Sequence, residues 1–342
     1  VEVGSNVAAN QQILLLTNKF EEMPDLYALT KENMDLFAEW TGIEVTYKGT
    51  GSKVVDQSVE VGTALKNTKK IISKILIYFA LILGVLFCLV PLYWMIRSSL
   101  MNTVEVFMMP PRWIPSKFMW ENYQEVFDTL PFGKYFLNSF IVTGGCVVGT
   151  MLTSSICAYG LARIKWRGRN VVFACIISSM MLPVAVTLIP TFLMWRTIGI
   201  TDSFIPLIVP AWFGGGAFYI FLLRQFYLGI PKDFDEAAYL DGASHIQIFT
   251  KIILPITKPA LAVVGMFAFL NSWNDFLSPL VYLNSEKKYT VALGLQLFTG
   301  SYRGEWNLMM AAACLVLAPV VVVFAIGQKY LVEGVTMSGV KG

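Results

Sequence analysis

The chain has 342 residues, 56% of them hydrophobic and 14% charged, with a formal net charge of +3 and a mean hydropathy of +0.60. Soluble domains carry about 25% charged residues, so the composition excludes the soluble domains that length alone would suggest. The small charge is spread along the loops and offers no nucleic-acid surface. The five cysteines (Cys88, Cys146, Cys157, Cys175, Cys314) lie in apolar runs without metal-ligand spacing, which reads as packing rather than a disulfide or metal framework.

Residues 1–65 differ from the rest. Gln11–Leu16 reads as a strand, Asp25–Trp40 as an amphipathic helix marked by Leu26, Leu29, Met34, Phe37 and Trp40, and Ile43–Tyr47 as a second strand. Residues 10–50 resemble, over a short and weakly specific stretch, the start of an extracellular solute-binding protein. About sixty residues are marginal as an independent domain. The segment is therefore expected to be a small α/β-like N-terminal extension, 1–65, ahead of a membrane domain, 66–342.

Six stretches lack Asp, Glu, Lys and Arg: 75–96, 135–162, 170–195, 203–223, 259–274 and 306–328. Each approaches or exceeds the ~20 apolar residues that cross a bilayer as a helix, and backbone in lipid must pair internally. The expected fold is thus an all-α membrane protein with six transmembrane helices. Lys66, Lys69, Lys70, Lys74, Arg163, Lys165, Arg167, Arg169, Arg224, Lys232, Lys251, Lys258, Lys329 and Lys341 gather on one side. By the positive-inside rule this places both termini and the 224–258 loop in the cytoplasm. Met108–Phe127, rich in Pro, Trp and Tyr, reads as an interfacial element on the outer face.

The 231–259 stretch, PKDFDEAAYLDGASHIQIFTKIILPITKP, is a charged, helix-forming interruption between apolar runs. Pro231 suits a first helical position. Asp233, Asp235 and Glu236 suit the positive end of a helix dipole. Gly242 breaks that helix, and Ser244 caps a second one through Thr250. The pattern is helix, corner, helix, lying along the membrane surface.

Glu236-Ala237-Ala238, Gly242, Ile252 and Leu254-Pro255 carry the spacing EAA-x3-G-x9-I-x-LP. This resembles the EAA loop of permease subunits in bacterial ATP-binding-cassette importers. The resemblance runs from about residue 67 to 342, through Asn122-Tyr123, Asn138-Ser139, Ala158–Arg163, Trp273–Asp275 and the terminal GVKG, and is nearest to the second permease of maltose-type carbohydrate importers. It implies a bacterial inner-membrane protein working with a second homologous permease subunit, two cytoplasmic ATPase subunits and an extracytoplasmic solute-binding protein. It also implies ATPase coupling through Glu236, Ala237, Ala238, Asp241, Gly242, Leu254 and Pro255, with ATP and Mg held by the ATPases and no cofactor in this chain.

The residues agree with a non-catalytic role. There is no Gly-x4-Gly-Lys-Ser/Thr phosphate loop, no HExxH or GxSxG motif, and one histidine, His245. For a sugar pathway, aromatic faces and amides are needed, and Trp212, Tyr219, Asn271, Trp273, Asn274 and Asp275 are the candidates. Gly214-Gly215-Gly216 permits either close helix approach or local unwinding beside the pathway. The alternative is a stand-alone secondary carrier or channel, which would place ionisable groups deeper in the membrane.

Overall fold

The computed structural model describes residues 30, 32–33, 35–36, 68–300 and 304–339. The chain separates into two units, Val1–Val90 and Pro91–Gly342, with the division falling inside the Thr68–Ser99 helix. In the first unit Glu32, Asn33, Asp35 and Leu36 are helical, whereas the expected strands at 11–16 and 43–47 lie outside the described residues. From Ile75 to Val90 every side chain of the Thr68–Ser99 helix is exposed, the expected state of an apolar helix that meets lipid.

In the second unit the elements are helical. Among the described residues of the whole chain, four helical segments are long and apolar enough to cross a membrane: Ile75–Ser99, Phe132–Ala162, Ile205–Gly229 and Trp306–Leu331. Two helix pairs, each bent at a short break, are long and apolar enough only when taken together. Arg169–Ser179 and Val184–Thr197 meet at 100°, and His245–Ile256 and Lys258–Trp273 meet at 78°. The 170–195 stretch, in which Pro183 and Pro190 are expected to allow a kink, is therefore two helices. Pro183 explains the break: it lacks an N–H and disfavours helical backbone in the residue before it, and it stands in extended conformation directly before Val184.

The Ile205–Gly229 span is also interrupted. A 3-10 turn over Val209–Trp212 leads into Gly214, Gly215 and Gly216, at φ +98°, +69° and +118°. Both readings of the triple glycine hold together. The chain is unwound in a region closed to most side chains, and a Cβ on Gly215 would stand 2.8 Å from the Thr150 Cα.

The Phe132–Ala162 helix is the axis of this unit. Its Ala162 end lies in a core with Ile220, Leu223, Tyr227, Ile248, Ile253, Ala260 and Val264. Its Phe132 end lies in a second core with Val126, Trp273, Val291, Phe298, Leu308 and Ala311. Close approach comes from small residues: a Cβ on Gly265 would stand 2.9 Å from the Met151 sulfur. At the Phe132 end, Asn138 donates to the carbonyls of Lys287 (3.0 Å) and Tyr289 (2.9 Å), and the Ser139 hydroxyl accepts from the Val291 amide at 2.9 Å. Asn122 donates to the Ser99 (2.8 Å) and Met101 (2.9 Å) carbonyls and ties the end of the first membrane helix. The Asn-Tyr and Asn-Ser pairs of the sequence are thus fasteners of loops.

Candidate functional site: the surface hairpin and its anchor

The hairpin forms as its residues dictate, with its start two residues later than the Pro231 position expected from sequence. The first helix is Asp233–Leu240, with Asp233, Asp235 and Glu236 in its first turn. Gly242 turns the corner at φ +77°. Ser244 then caps His245–Ile248 in a reciprocal capping box with Gln247. The helix continues through a π-turn, Phe249–Ile253, and Leu254–Ile256 to the bend before Lys258. Tyr239 and His245 close the corner, the phenol oxygen lying 2.7 Å from His245 Nδ1. Burial, and after it the Asp235 carboxylate, push the Tyr239 phenol above its ordinary pKa, partly offset by Arg163.

Arg163 anchors the hairpin. Its Nε lies 2.8 Å from Asp235 Oδ2, with the two side chains only 4% and 14% exposed. Its remaining nitrogens donate to the carbonyls of Tyr227 (3.1 Å), Ile230 (2.8 Å) and Pro231 (3.0 Å). The cation therefore stands at the negative end of the Ala217–Gly229 helix and beside a carboxylate in the first turn of Asp233–Leu240, both favourable to the helix dipoles. The planar guanidinium suits this because its five donors point in fixed directions. Tyr159 adds a second tie by donating to the His245 carbonyl at 3.3 Å. One helix, Phe132–Ala162 with the Arg163 that follows it, thus holds both arms of the hairpin.

The hairpin has two faces. Ala238, Ile248 and Ile253 are buried in the core with Ala158 and Tyr227. Glu236, Ala237, Asp241 and Gly242 are exposed, as is Pro255, and Leu254 is half-buried. Leu240 is 91% and Ile246 75% exposed, two large apolar side chains flanking the corner. Sequence reasoning missed them, and missed the Arg163 anchor. The signal for the pair was available: both are apolar positions on a polar surface element whose inward face is already filled by Ala238 and Ile248.

The six pathway candidates separate. Tyr219 and Asn271 come together with Phe218, Phe267 and Leu270 around an open cleft of about 520 Å³. Trp212 donates to the Gly145 carbonyl at 3.1 Å and lies over Gly149, where a Cβ would stand 2.5 Å from its ring. Trp273 lies apart from that cleft. It is 1% exposed, donates to the Val316 carbonyl at 3.1 Å and stacks on Phe269, because a large ring at that position completes the second core. Asn274 donates to the Leu270 carbonyl at 2.9 Å, and Asp275 accepts from the Ser278 amide at 3.1 Å. Both finish or start helices.

Residues 150–337 match the family model described as the binding-protein-dependent transport system inner membrane component. The chain belongs to this family. The permease is 30% identical over 293 residues to a probable ABC transporter permease protein, YurM, of Bacillus subtilis strain 168, spanning 84% of this chain and 95% of that one. It is 33% identical over 230 residues to the arabinooligosaccharides transport system permease protein AraQ of the same organism, spanning 67% and 81%. Its fold matches a crystal structure of a bacterial ABC transporter involved in the import of the acidic polysaccharide alginate, with a TM-score of 0.67, 26% identity, and coverage of 78% of this chain and 99% of that one. A second family model, the PASTA domain, matches residues 21–72, the stretch that overlaps the expected N-terminal extension. The permease is accordingly a multi-pass membrane subunit of an ABC importer, and the stand-alone carrier reading falls away.

Proposed function

We propose that this permease lines half of the import pathway for an oligosaccharide or sugar-like solute, and that its Asp233–Ile256 hairpin receives the stroke of a separate cytoplasmic ATPase. The hairpin carries this reading: one face is fixed to the membrane helices and the other presents Glu236, Ala237, Leu240 and Ile246 to a partner. Leu240 and Ile246 would enter apolar hollows on that partner, with Glu236 supplying a polar contact at the edge. Buried apolar anchors of this size supply most of the energy of an interface. Asp241 and Gly242 set the corner, and Leu254 and Pro255 the turn back to the membrane. ATP and Mg would be held by two ATPase subunits, since the chain has no phosphate loop. A homologous permease and an extracytoplasmic solute-binding protein would complete the assembly. Both termini and the hairpin lie in the cytoplasm in this reading, supported by the excess of Lys and Arg on that side.

For transport, force on the hairpin passes through Arg163 and Tyr159 to the Phe132–Ala162 helix, so the helix turns with the hairpin. The cleft of Tyr219 and Asn271 gives a sugar one stacking face and one amide. The sugar class is supported by the names of the relatives, an arabinooligosaccharide permease and an alginate importer. The test is Glu236→Lys in the assembled importer. Uptake is expected to fall by at least tenfold while the permease stays folded, because the side chain is exposed and surface changes shift stability by about 0.5 kcal/mol or less. Uptake at the normal rate would remove Glu236 from the docking face.

A further inference from the structure

The connection from Arg163 to Gly168, between the Phe132–Ala162 and Arg169–Ser179 helices, has a charge problem that the hairpin does not solve. Residues 163–169 hold Arg163, Lys165, Arg167 and Arg169, and residues 130–201 contain no Asp or Glu at all. Arg163 has its carboxylate in Asp235. Lys165, Arg167 and Arg169 take part in no ion pair among the described residues. A fourth cation stands close by: the Arg224 guanidinium lies 3.9 Å over the Phe173 ring, and it and Arg169 repel one another. Like charges gathered without a counter-charge call for an anion from outside the chain.

The cavity there has the matching form. Lys165, Trp166, Gly168, Arg169, Asn170 and Val171 surround an open space of about 230 Å³. Trp166 donates to the Gly160 carbonyl at 3.0 Å, which fixes its indole at the end of the membrane helix with the ring 43% exposed. Val171 is 67% exposed. The rim is cationic with one amide, and the remainder is an aromatic face and an aliphatic side chain. That combination suits a ligand that is an anion at one end and hydrocarbon at the other.

Depth selects the ligand. The connection joins the end of a membrane-crossing helix to an apolar helix with no fully buried side chain, only Phe173 and Ile176 packing partly against the first core. Six residues reach ~20 Å at full extension, so the loop stays at the level of the lipid headgroups, where Trp also concentrates. This holds whichever side of the membrane the loop faces.

We propose that the Lys165–Val171 cavity binds the phosphodiester headgroup of an anionic phospholipid. Lys165, Arg167 and Arg169 neutralise the phosphate, Asn170 bonds the glycerol region, and Trp166 and Val171 receive the first acyl carbons. Basic pockets between membrane helices hold anionic lipid in this way. The site is separate from the hairpin's docking face and stands whether or not that face meets an ATPase.

The full-length chain in detergent micelles, offered equal amounts of phosphatidylglycerol and phosphatidylcholine, tests this by native mass spectrometry. Phosphatidylglycerol is expected to be retained and phosphatidylcholine lost. Each cation contributes ~1 kcal/mol at a membrane surface. Lys165→Gln should therefore weaken retention roughly fivefold, and the Lys165→Gln, Arg167→Gln, Arg169→Gln variant on the order of a hundredfold. Lys165 and Arg167 are exposed and Arg169 is half-buried, donating to the Ile164 carbonyl at 3.3 Å, and an unchanged circular dichroism melt verifies folding. Equal retention of the two lipids overturns the proposal, as does undiminished retention by the triple variant. Displacement of phosphatidylglycerol by equimolar inorganic phosphate would make this a free-anion site and also overturn it. So would a triple variant that keeps its lipid but no longer assembles with its ATPase, which would mean the loop docks on protein.

Discussion

The two ends of the Phe132–Ala162 helix are fastened by different chemistry. At the Ala162 end a single buried cation, Arg163, reaches one carboxylate and three carbonyls and so joins two other helices at one point. At the Phe132 end the work is divided among neutral groups: Asn138 and Ser139 hold the 287–291 stretch, and Asn122 is tied to Asn307 at 3.3 Å. Two carboxylates are the charged exceptions: Glu286, which accepts from the Tyr135 hydroxyl at 3.1 Å, and neighbouring Glu105. Burial pushes the Glu105 carboxyl up, but the Ser116 amide and hydroxyl and Arg112 outweigh that and hold it below the ordinary range. A joint made of one charged group is all-or-none and keeps its angle under load. A joint made of separate neutral bonds loosens one bond at a time. The first kind suits the end that carries the hairpin.

Breaking the charged joint should give the largest effect. Arg163→Ala leaves Asp235 buried without its partner, and losses of this type run to about 3–5 kcal/mol. Amide exchange across Asp233–Ile256 should accelerate accordingly, while the 287–291 stretch keeps its protection. Equal loosening at both ends would mean that the two joints are not separate.

A smaller effect is expected at the opposite end. Asn138→Ala leaves the Lys287 and Tyr289 carbonyls without their donor, a loss of about 1–3 kcal/mol. It should raise exchange over 286–291 and leave the hairpin unchanged. An effect on the hairpin would show that the cores at the two ends transmit strain to one another.

The smallest effect concerns Asp202, the strap between the 198–204 turn and the 284–288 turn. Its carboxylate accepts from the Asn284 amide (2.9 Å), the Ser285 amide (3.0 Å) and hydroxyl (2.5 Å), and pairs with Lys288 at 2.9 Å. Bonds from Ser285 first, then from Lys288 and Asn284, hold its pKa below the ordinary carboxylate value. A depressed carboxylate stabilises the folded state fully above its unfolded pKa and loses that contribution as pH falls through the folded one. Protection of the Asn284 and Ser285 amides should therefore be constant from pH 8 to pH 5. Asp202→Asn should reduce it roughly two- to fivefold at pH 7, since partly exposed pairs contribute little. Loss of protection already at pH 5 in the unaltered chain would contradict the depressed pKa.

How much was legible depends on range. The hairpin was readable in detail because dipole placement, a glycine corner and the Ser244 cap are local chemistry. Its true anchor was not, because Arg163 and Asp235 are distant in sequence: Arg163 reads alone as a loop charge and Asp235 as a helix-dipole residue. Trp273 and Asp275 read as pathway groups because an aromatic and an acid near a membrane end suit a sugar. Only packing shows one filling a core and the other starting a helix.

By itself the sequence determined the membrane class, the apolar spans, the helix–corner–helix of residues 231–259 and the family. The first three follow from composition, periodicity and local chemistry, which act within one or two turns of chain, and the family from the resemblance of the EAA loop to known permeases. Tertiary structure decided the close approach of the unwound Gly214–Gly216 to Thr150, the burial of Trp273 and the Arg163 joint. Each depends on which distant surface lies opposite, and a buried charge or ring is settled only by the partner that meets it.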